Sequence, residues 1–246
     1  MKVSVISRWY NEEFFAPFFL GHYAWADEII ILLDNTTTDK SAEIVGRYPN
    51  ARIEWKDCGG VLNDRILSDM MSDCAADLKS DWVIRADADE FTFPYNNADP
   101  REVLSTANGN MIDTMYRWVY RHHTEGPLDP IKPAIWQRRH GGEYTIWPGM
   151  GAHYLKPTIV KPEAKIRWTP GEQNFYNSPS EIKVSSTVFD GVHWQTADVE
   201  MWIKRNASND KRLSDENKAK KWGVKNFTEE MIRAECKAHE NDERLF

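Results

Sequence analysis

Three carboxylates fall within four residues, at Asp87, Asp89 and Glu90, directly after the mostly apolar stretch 82–86. That stretch reads as a short buried strand. It is too short for a helix and has a β-branched pair, Val83-Ile84, at its centre. In extended chain, residues two apart point to the same side, so Asp87 and Asp89 are expected to face one point. Like charges so placed repel unless a cation sits between them. Hard oxygen ligands suit Mg²⁺ or Mn²⁺, ions that usually also hold a substrate phosphate. Alone, an Asp-x-Asp matches often by chance and would be a solvated acidic turn. Two more polar clusters change its setting. Asn11-Glu12-Glu13 follows the first apolar segment, and Asp34 to Asp39 follows the second.

The elements that must carry these residues alternate. Residues 2–7, 28–33, 51–55 and 82–86 read as strands. Residues 12–22, 40–47 and 62–78 read as helices. Asn11 is the expected N-cap of the first helix, with Phe14, Phe15, Phe18 and Phe19 on its buried face, although Pro17 should kink or restart it. Thr38 or Asp39 is expected to cap the second. Strand–helix alternation predicts a parallel sheet flanked by helices, and polar residues after buried strands are where such sheets place ligands. No G-x-G-x-x-G follows the first strand, and no P-loop sequence occurs. Beyond residue 90 a short helix is expected at 100–107 and a strand at 111–122. Loops and short antiparallel strands are expected over 124–180. Strands at 185–188 and 192–194 should be separated by Asp190-Gly191, and helices should cover 196–222 and 228–243.

Composition narrows the class. The net charge is −7, from 31 basic and 38 acidic residues, which argues against a general nucleic-acid-binding surface. No secretory signal or apolar run of membrane-spanning length is visible. Cys58, Cys74 and Cys236 are odd in number and form no CxxC pair. They read as free thiols of a reducing compartment, and cytoplasmic location is the expectation.

The residues 5–13, 33–41 and 84–90 together resemble three motifs of glycosyltransferase family 2, the large group of GT-A fold enzymes. They look like its opening strand and N-E element, its D-D-x-S-x-D segment and its D-x-D motif, in order and at family-like spacing over about the first 95 residues. The resemblance implies a GT-A-like, Rossmann-type mixed α/β sheet flanked by helices, with C-terminal helices. It divides a single domain of 1–246 into a nucleotide-sugar-binding half (1–95), an acceptor-binding half (96–195) and a helical extension (196–246). It implies an enzyme of the hexosyltransferase type, EC 2.4, that takes a nucleotide-diphosphate sugar as donor and Mn²⁺ or Mg²⁺ as cofactor. By it, Asp34 would sit near the base, Asp87 near the ribose or metal, and Asp89 on the metal bridging the diphosphate. Asn11, Glu12 and Asn63 or Asp64 would line the same pocket. His193, in Asp190-Gly191-Val192-His193-Trp194, is similar to a late metal-binding His of such enzymes, with His153 its competitor. Two departures stand out. Asn35 and Thr37 replace the more usual Asp and Ser, and Arg85 occupies an ordinarily apolar place, where it should neutralise the acidic cluster or pair with Asp81.

Transfer to a hydroxyl needs the leaving diphosphate neutralised and, for inversion, a base. Glu143, after Gly141-Gly142, and Glu172, after Pro170-Gly171, are the candidate bases. Trp136, Trp147, Trp168 and Trp194 could offer flat faces to an acceptor glycan, though core packing is the commoner use of tryptophan. The acceptor could also be lipid-linked, with the C-terminal helices packing on the domain, pairing subunits or approaching a membrane. Competing readings are a non-catalytic carbohydrate-binding protein, a nucleotidyltransferase, and a nucleic-acid-base glycosyltransferase. A nucleotidyltransferase should carry a Gly-rich loop after the first strand, and residues 8–12 contain no glycine.

Overall fold

Val3–Trp9 (β1), Glu28–Asp34 (β2), Ala51–Lys56 (β3) and Trp82–Arg85 (β4) form four parallel strands in the order β3-β2-β1-β4. Ala16–His22 (α1), Ser41–Val45 (α2) and Asp64–Asp77 (α3) make the crossovers that parallel strands require. This is the computed structural model of the chain, and it describes residues 1–143, 145–146, 153–176 and 180–245. The sheet alternates its burial. Val5, Ile29, Ile31 and Ile84 join one core cluster with the aromatic side chains of α1. Ile6, Ile30, Leu32 and Val83 join another with Met71 and Ala75 of α3.

The second half completes the sheet with Glu90–Pro94 (β5), Met111–Trp118 (β6), His153–Val160 (β7) and Phe189–His193 (β10). Pro100–Thr106 forms α4, and Arg167–Trp168 (β8) pairs with Phe175–Tyr176 (β9) in a separate ribbon. The main sheet has eight strands ordered β3-β2-β1-β4-β7-β6-β10-β5. β7 runs antiparallel to both β4 and β6, while β10 is parallel to β6 and antiparallel to β5. This is the mixed, Rossmann-type α/β sheet that the resemblance to GT-A enzymes implies. Val199–Arg212 (α5), Asp215–Lys220 (α6) and Glu229–Ala238 (α7) follow. Met201, Trp202, Phe227 and Ile232 sit in the same core cluster as β1 and β2, so the C-terminal segment packs on the sheet. Among the described residues, no helix is long and apolar enough to cross a membrane.

Several expectations need correction. The first helix starts at Ala16, and Pro17 lies in its opening turn, where a missing N–H costs nothing. Asn11 does not cap it. Its backbone is left-handed, with φ of 54°, and its side chain accepts from the Thr38 and Asp39 amides at 2.8 and 3.3 Å. Asp190-Gly191 is not a break between strands. β10 runs through it, because Gly191 lies against Tyr116, whose ring would be 2.7 Å from any added Cβ. β5 was not legible as a strand, β7 is longer than the short antiparallel strands expected over 124–180, and β6 ends at Trp118. The helix expected over 196–222 breaks at Leu213, and Ser214 caps α6 by accepting from the Asn217 amide at 3.0 Å.

Candidate functional site

The parallel strands all end on one side, and their ends open onto one cavity of about 410 Å³. That lies within the usual range for small-molecule sites. β1 and the segment after it deliver Arg8, Tyr10 and Glu12 to it, β2 delivers Asp34, and the segment after β4 delivers Asp87 and Asp89. β6 and β10 contribute Trp118 and His193, and the C-terminal segment adds Arg205, Arg212, Trp222 and Lys225.

Asp34 forms one end. It is buried, and its Oδ1 accepts from the Thr36 amide at 2.9 Å and the Thr36 hydroxyl at 2.7 Å. Its Oδ2 accepts from the Gly60 amide at 3.1 Å. Arg212 donates to the Gly60 carbonyl at 2.7 Å and lies 3.4 Å over the Tyr10 ring. The carboxylate, the aromatic ring and the guanidinium thus share one corner.

The acidic turn forms the other end, and extended-chain alternation does not hold there. The Glu90 amide donates to the Asp87 carbonyl at 2.9 Å, so the chain turns across the two aspartates, and both side chains still line the cavity. Asp87 faces Arg85 at 2.9 Å and Arg8 at 3.5 Å. Burial pushes its carboxyl up, but the two guanidiniums outweigh that and hold it well below the usual carboxylate range. Asp89 faces His193 Nε2 at 3.1 Å and a short contact from Arg205 Nη1. Burial again acts upward, and Arg205 and His193 again prevail, so its carboxyl is held low. Glu12 accepts from Arg205 Nη2 at 2.9 Å. Its burial wins, pushing its carboxyl up to about 7 even with Arg205 beside it.

Arg85 is the buried anchor beneath this charge. It meets Glu90 at 3.0 Å, Asp87, and Glu172 through a short contact, and it is not paired with Asp81. Glu90 also takes Lys156 through a short contact. Buried ions persist only when paired and hydrogen-bonded, and here each acid has a cation. His193 is held from three sides. The Tyr154 hydroxyl meets its Nδ1 at 2.7 Å, Asp89 its Nε2, and Trp118 stacks on its ring at 4.5 Å. A partner on the second ring nitrogen is how metal-binding imidazoles are usually oriented.

The chain thus brings Glu12, Asp34, Asp64, Asp87, Asp89 and His193 to one cavity. Asn11 and Asn63 do not line it. Asn63 caps α3, accepting from the Arg65 and Ile66 amides at 3.1 and 3.2 Å. The expectation of a base at Glu143 or Glu172 finds no support in this arrangement. Glu143 is exposed away from the cavity. Glu172 is fully buried, with Ser68 donating to it at 3.2 Å and Arg8 at 3.4 Å from it. Trp168 and Trp194 are core residues, and Trp136 is exposed. Trp147 and the side chain of His153 lie outside the described residues. Sequence reasoning missed Arg8, Lys156, Arg205, Arg212 and Lys225. Arg8 was signalled by its place at the end of β1. The other four lie far along the chain: Lys156 in the stretch read as loops and short strands, Arg205 and Arg212 in a segment read as helix, and Lys225 between two such segments.

The donor chemistry of Asp89 and His193 suits Mn²⁺ or Mg²⁺. Such ions need only one or two protein ligands when phosphates and water supply the rest. Among the described residues, no three His, Cys, Asp or Glu side chains are grouped to hold a metal. The Asp89–His193 pair is therefore the portion of the expected set that comes together, and the Arg205 guanidinium rests on it.

No protein-family model matches the chain, and no curated protein matches it. Among solved structures it is similar to S. aureus TarS 1-349, at 14% identity and a TM-score of 0.44, over 85% of this chain and 65% of that one. TarS 1-349 has also been solved in complex with UDP-GlcNAc, where the TM-score is 0.42. A further similar structure is glucosyl-3-phosphoglycerate synthase from Mycobacterium tuberculosis with Mn²⁺, UDP-glucose and glycerol 3-phosphate. It is 18% identical, with a TM-score of 0.34, over 47% of this chain and 44% of that one. The chain thus spans just under two thirds of TarS 1-349 and 39% of a longer TarS chain.

Proposed function

We propose that the chain is a glycosyltransferase that binds a nucleotide-diphosphate sugar in this cavity and moves the sugar to a hydroxyl acceptor. The observation that carries the reading is the single cavity joining Asp34, Tyr10 and Arg212 at one end to Asp89, His193 and Arg205 at the other. The first end suits a nucleobase, with a carboxylate to accept from a ring N–H and an aromatic face to stack on. The second end, with Arg8 and Lys225 nearby, suits a diphosphate. Asp87, Glu12 and Asp64 line the same cavity. In the reaction the acceptor oxygen bonds to the anomeric carbon and its proton is released to solvent, while the carbon–oxygen bond to phosphate breaks and the diphosphate leaves with that electron pair. Asp89 and His193 would hold Mn²⁺ or Mg²⁺, which as a Lewis acid neutralises charge on the leaving group. Arg8 and Lys225 add fixed positive charge on the same side.

Thermal unfolding against UDP-, GDP-, dTDP- and CDP-sugars, with and without Mn²⁺, tests this. At about 100-fold excess over the dissociation constant, a bound donor stabilises by roughly 2.7 kcal/mol, or about 5–10 °C for a chain of this size. We expect such a shift for one nucleotide, lost in Asp34→Asn. No shift with any nucleotide, alongside affinity for free glycans, would replace the reading with a carbohydrate-binding protein.

A further inference from the structure

We infer that Arg205 is a place-holding cation: it neutralises Asp89 and Glu12 until the donor arrives, then turns to the diphosphate and yields Asp89 to the metal. The inference rests on the glycosyltransferase reading and adds an order of events to it. Arg205 bridges the two carboxylates, one through each terminal nitrogen. Without it, Glu12 and Asp89 would stand as two buried acids with no shared counter-ion. The metal position therefore already has a positive charge upon it, attached to the protein.

The bridge leaves Arg205 unsaturated. Its Nε is buried and has no hydrogen-bond acceptor among the described residues. An orphaned buried donor costs free energy, and an arginine fork offers five donors matched to phosphate oxygens. A diphosphate entering the cavity can satisfy the Nε and draw the guanidinium off Asp89. A divalent ion arriving with it can take over the neutralising role, held by Asp89 and His193. An ion arriving alone must displace an ion pair already made, at close range, leaving Arg205 with Glu12 alone as its carboxylate. Metal and nucleotide should therefore bind cooperatively, each raising the other's affinity by the same factor.

The test is Mn²⁺ binding to the full chain, read as loss of the free-ion electron paramagnetic resonance signal, with and without UDP, GDP, dTDP and CDP. In the wild type we expect weak Mn²⁺ binding alone and an affinity about tenfold or more higher with the accepted nucleotide. Arg205→Gln and Arg205→Ala should bind Mn²⁺ without nucleotide about tenfold more tightly than the wild type. They should bind the nucleotide less well and show little coupling. Arg205→Lys, which keeps a charge but loses the fork, should stay close to the wild type for Mn²⁺ alone. Circular dichroism melts check that each variant folds. If a variant does not fold, the wild-type coupling still decides. Nucleotide binding with equal Mn²⁺ affinity in its presence and absence would overturn the inference and leave the glycosyltransferase reading standing. So would unchanged Mn²⁺ affinity in folded Arg205→Gln. If no nucleotide binds the wild type, both fall.

Discussion

Lys225 shows how a single side chain tunes the cavity. It donates to Gln195 Oε1 at 2.6 Å, and burial pushes its ammonium down to about 8. Below that pH it is a cation facing the proposed diphosphate. Above it the proton is lost and so is the attraction. Nucleotide affinity should therefore fall by about tenfold as pH rises from 7 to 9.5, since one charge-assisted hydrogen bond contributes roughly 1.5–3 kcal/mol. Lys225→Met should bind weakly throughout and lack that step. Calorimetric titration with UDP across the pH range checks both. Lys225 also marks the limit of residue-level reading. Asp34, Asp87 and Asp89 were legible because acids after buried strands are conspicuous. Of their cations Arg85 was legible, two residues from Asp87, but Arg205 was not, because an arginine in a helical segment looks the same whether it meets solvent or a carboxylate 116 residues away. The backbone at Asp87 and Asp89 was not legible either: a turn from Asp87 to Glu90 takes the place of extended chain, with no glycine or proline to announce it, and the two acids still line one cavity.

At the scale of elements, the strand β10 sets the imidazole. Gly191 lets it lie flush on β6, because a Cβ there would sit 2.7 Å from the Tyr116 ring and 2.8 Å from Thr114 Cγ2. Gly191→Ala should therefore push β10 away from β6. Overpacking of this kind costs about 1–3 kcal/mol, a fall in Tm of roughly 2–10 °C at this length. It should also shift His193, two residues on, and weaken any Mn²⁺ affinity that depends on it. Thermal melts and metal titration of the variant check the two effects separately. The same glycine explains why the segment was misread. An isolated Gly after Asp signals a turn, but inside a strand it can instead mark a close approach. β1, β2 and β4 were legible because their apolar runs are almost wholly buried, and the half-exposed β3 because Pro49 and the Gly59-Gly60 turn bracket it. The bounds of β7 were not, because its Pro157 and its Gly-rich approach from 141 to 151 look like loop.

For the whole molecule, acid stability offers a test that does not involve the site. His22 meets the Thr92 carbonyl at 2.9 Å and packs edge-on against Tyr23 and Phe91. Burial lowers its imidazole to about 4, and the Thr92 contact only partly opposes this. The folded ring stays neutral where the unfolded one, near 6.5, takes a proton. Stability from this group is thus complete above pH 6.5 and is lost as pH falls towards 4, by roughly 2–3 kcal/mol. Urea unfolding at pH 7 and pH 4.5 should show a steeper loss in the wild type than in His22→Gln, which keeps a donor for Thr92. Topology carries a different kind of consequence. The Arg212 guanidinium closes the Asp34 corner across 152 residues of sequence, and the Leu62 amide donates to the Arg212 carbonyl at 2.8 Å. During synthesis at about 5–20 residues per second, β1 and β2 precede that closing segment by on the order of 10–30 s. For that interval the nascent chain presents Glu12 and Asp89 without Arg205, and Asp34 without its cover. The cavity is among the last regions of the protein to exist, so a nucleotide can stabilise the finished fold but cannot guide its early assembly.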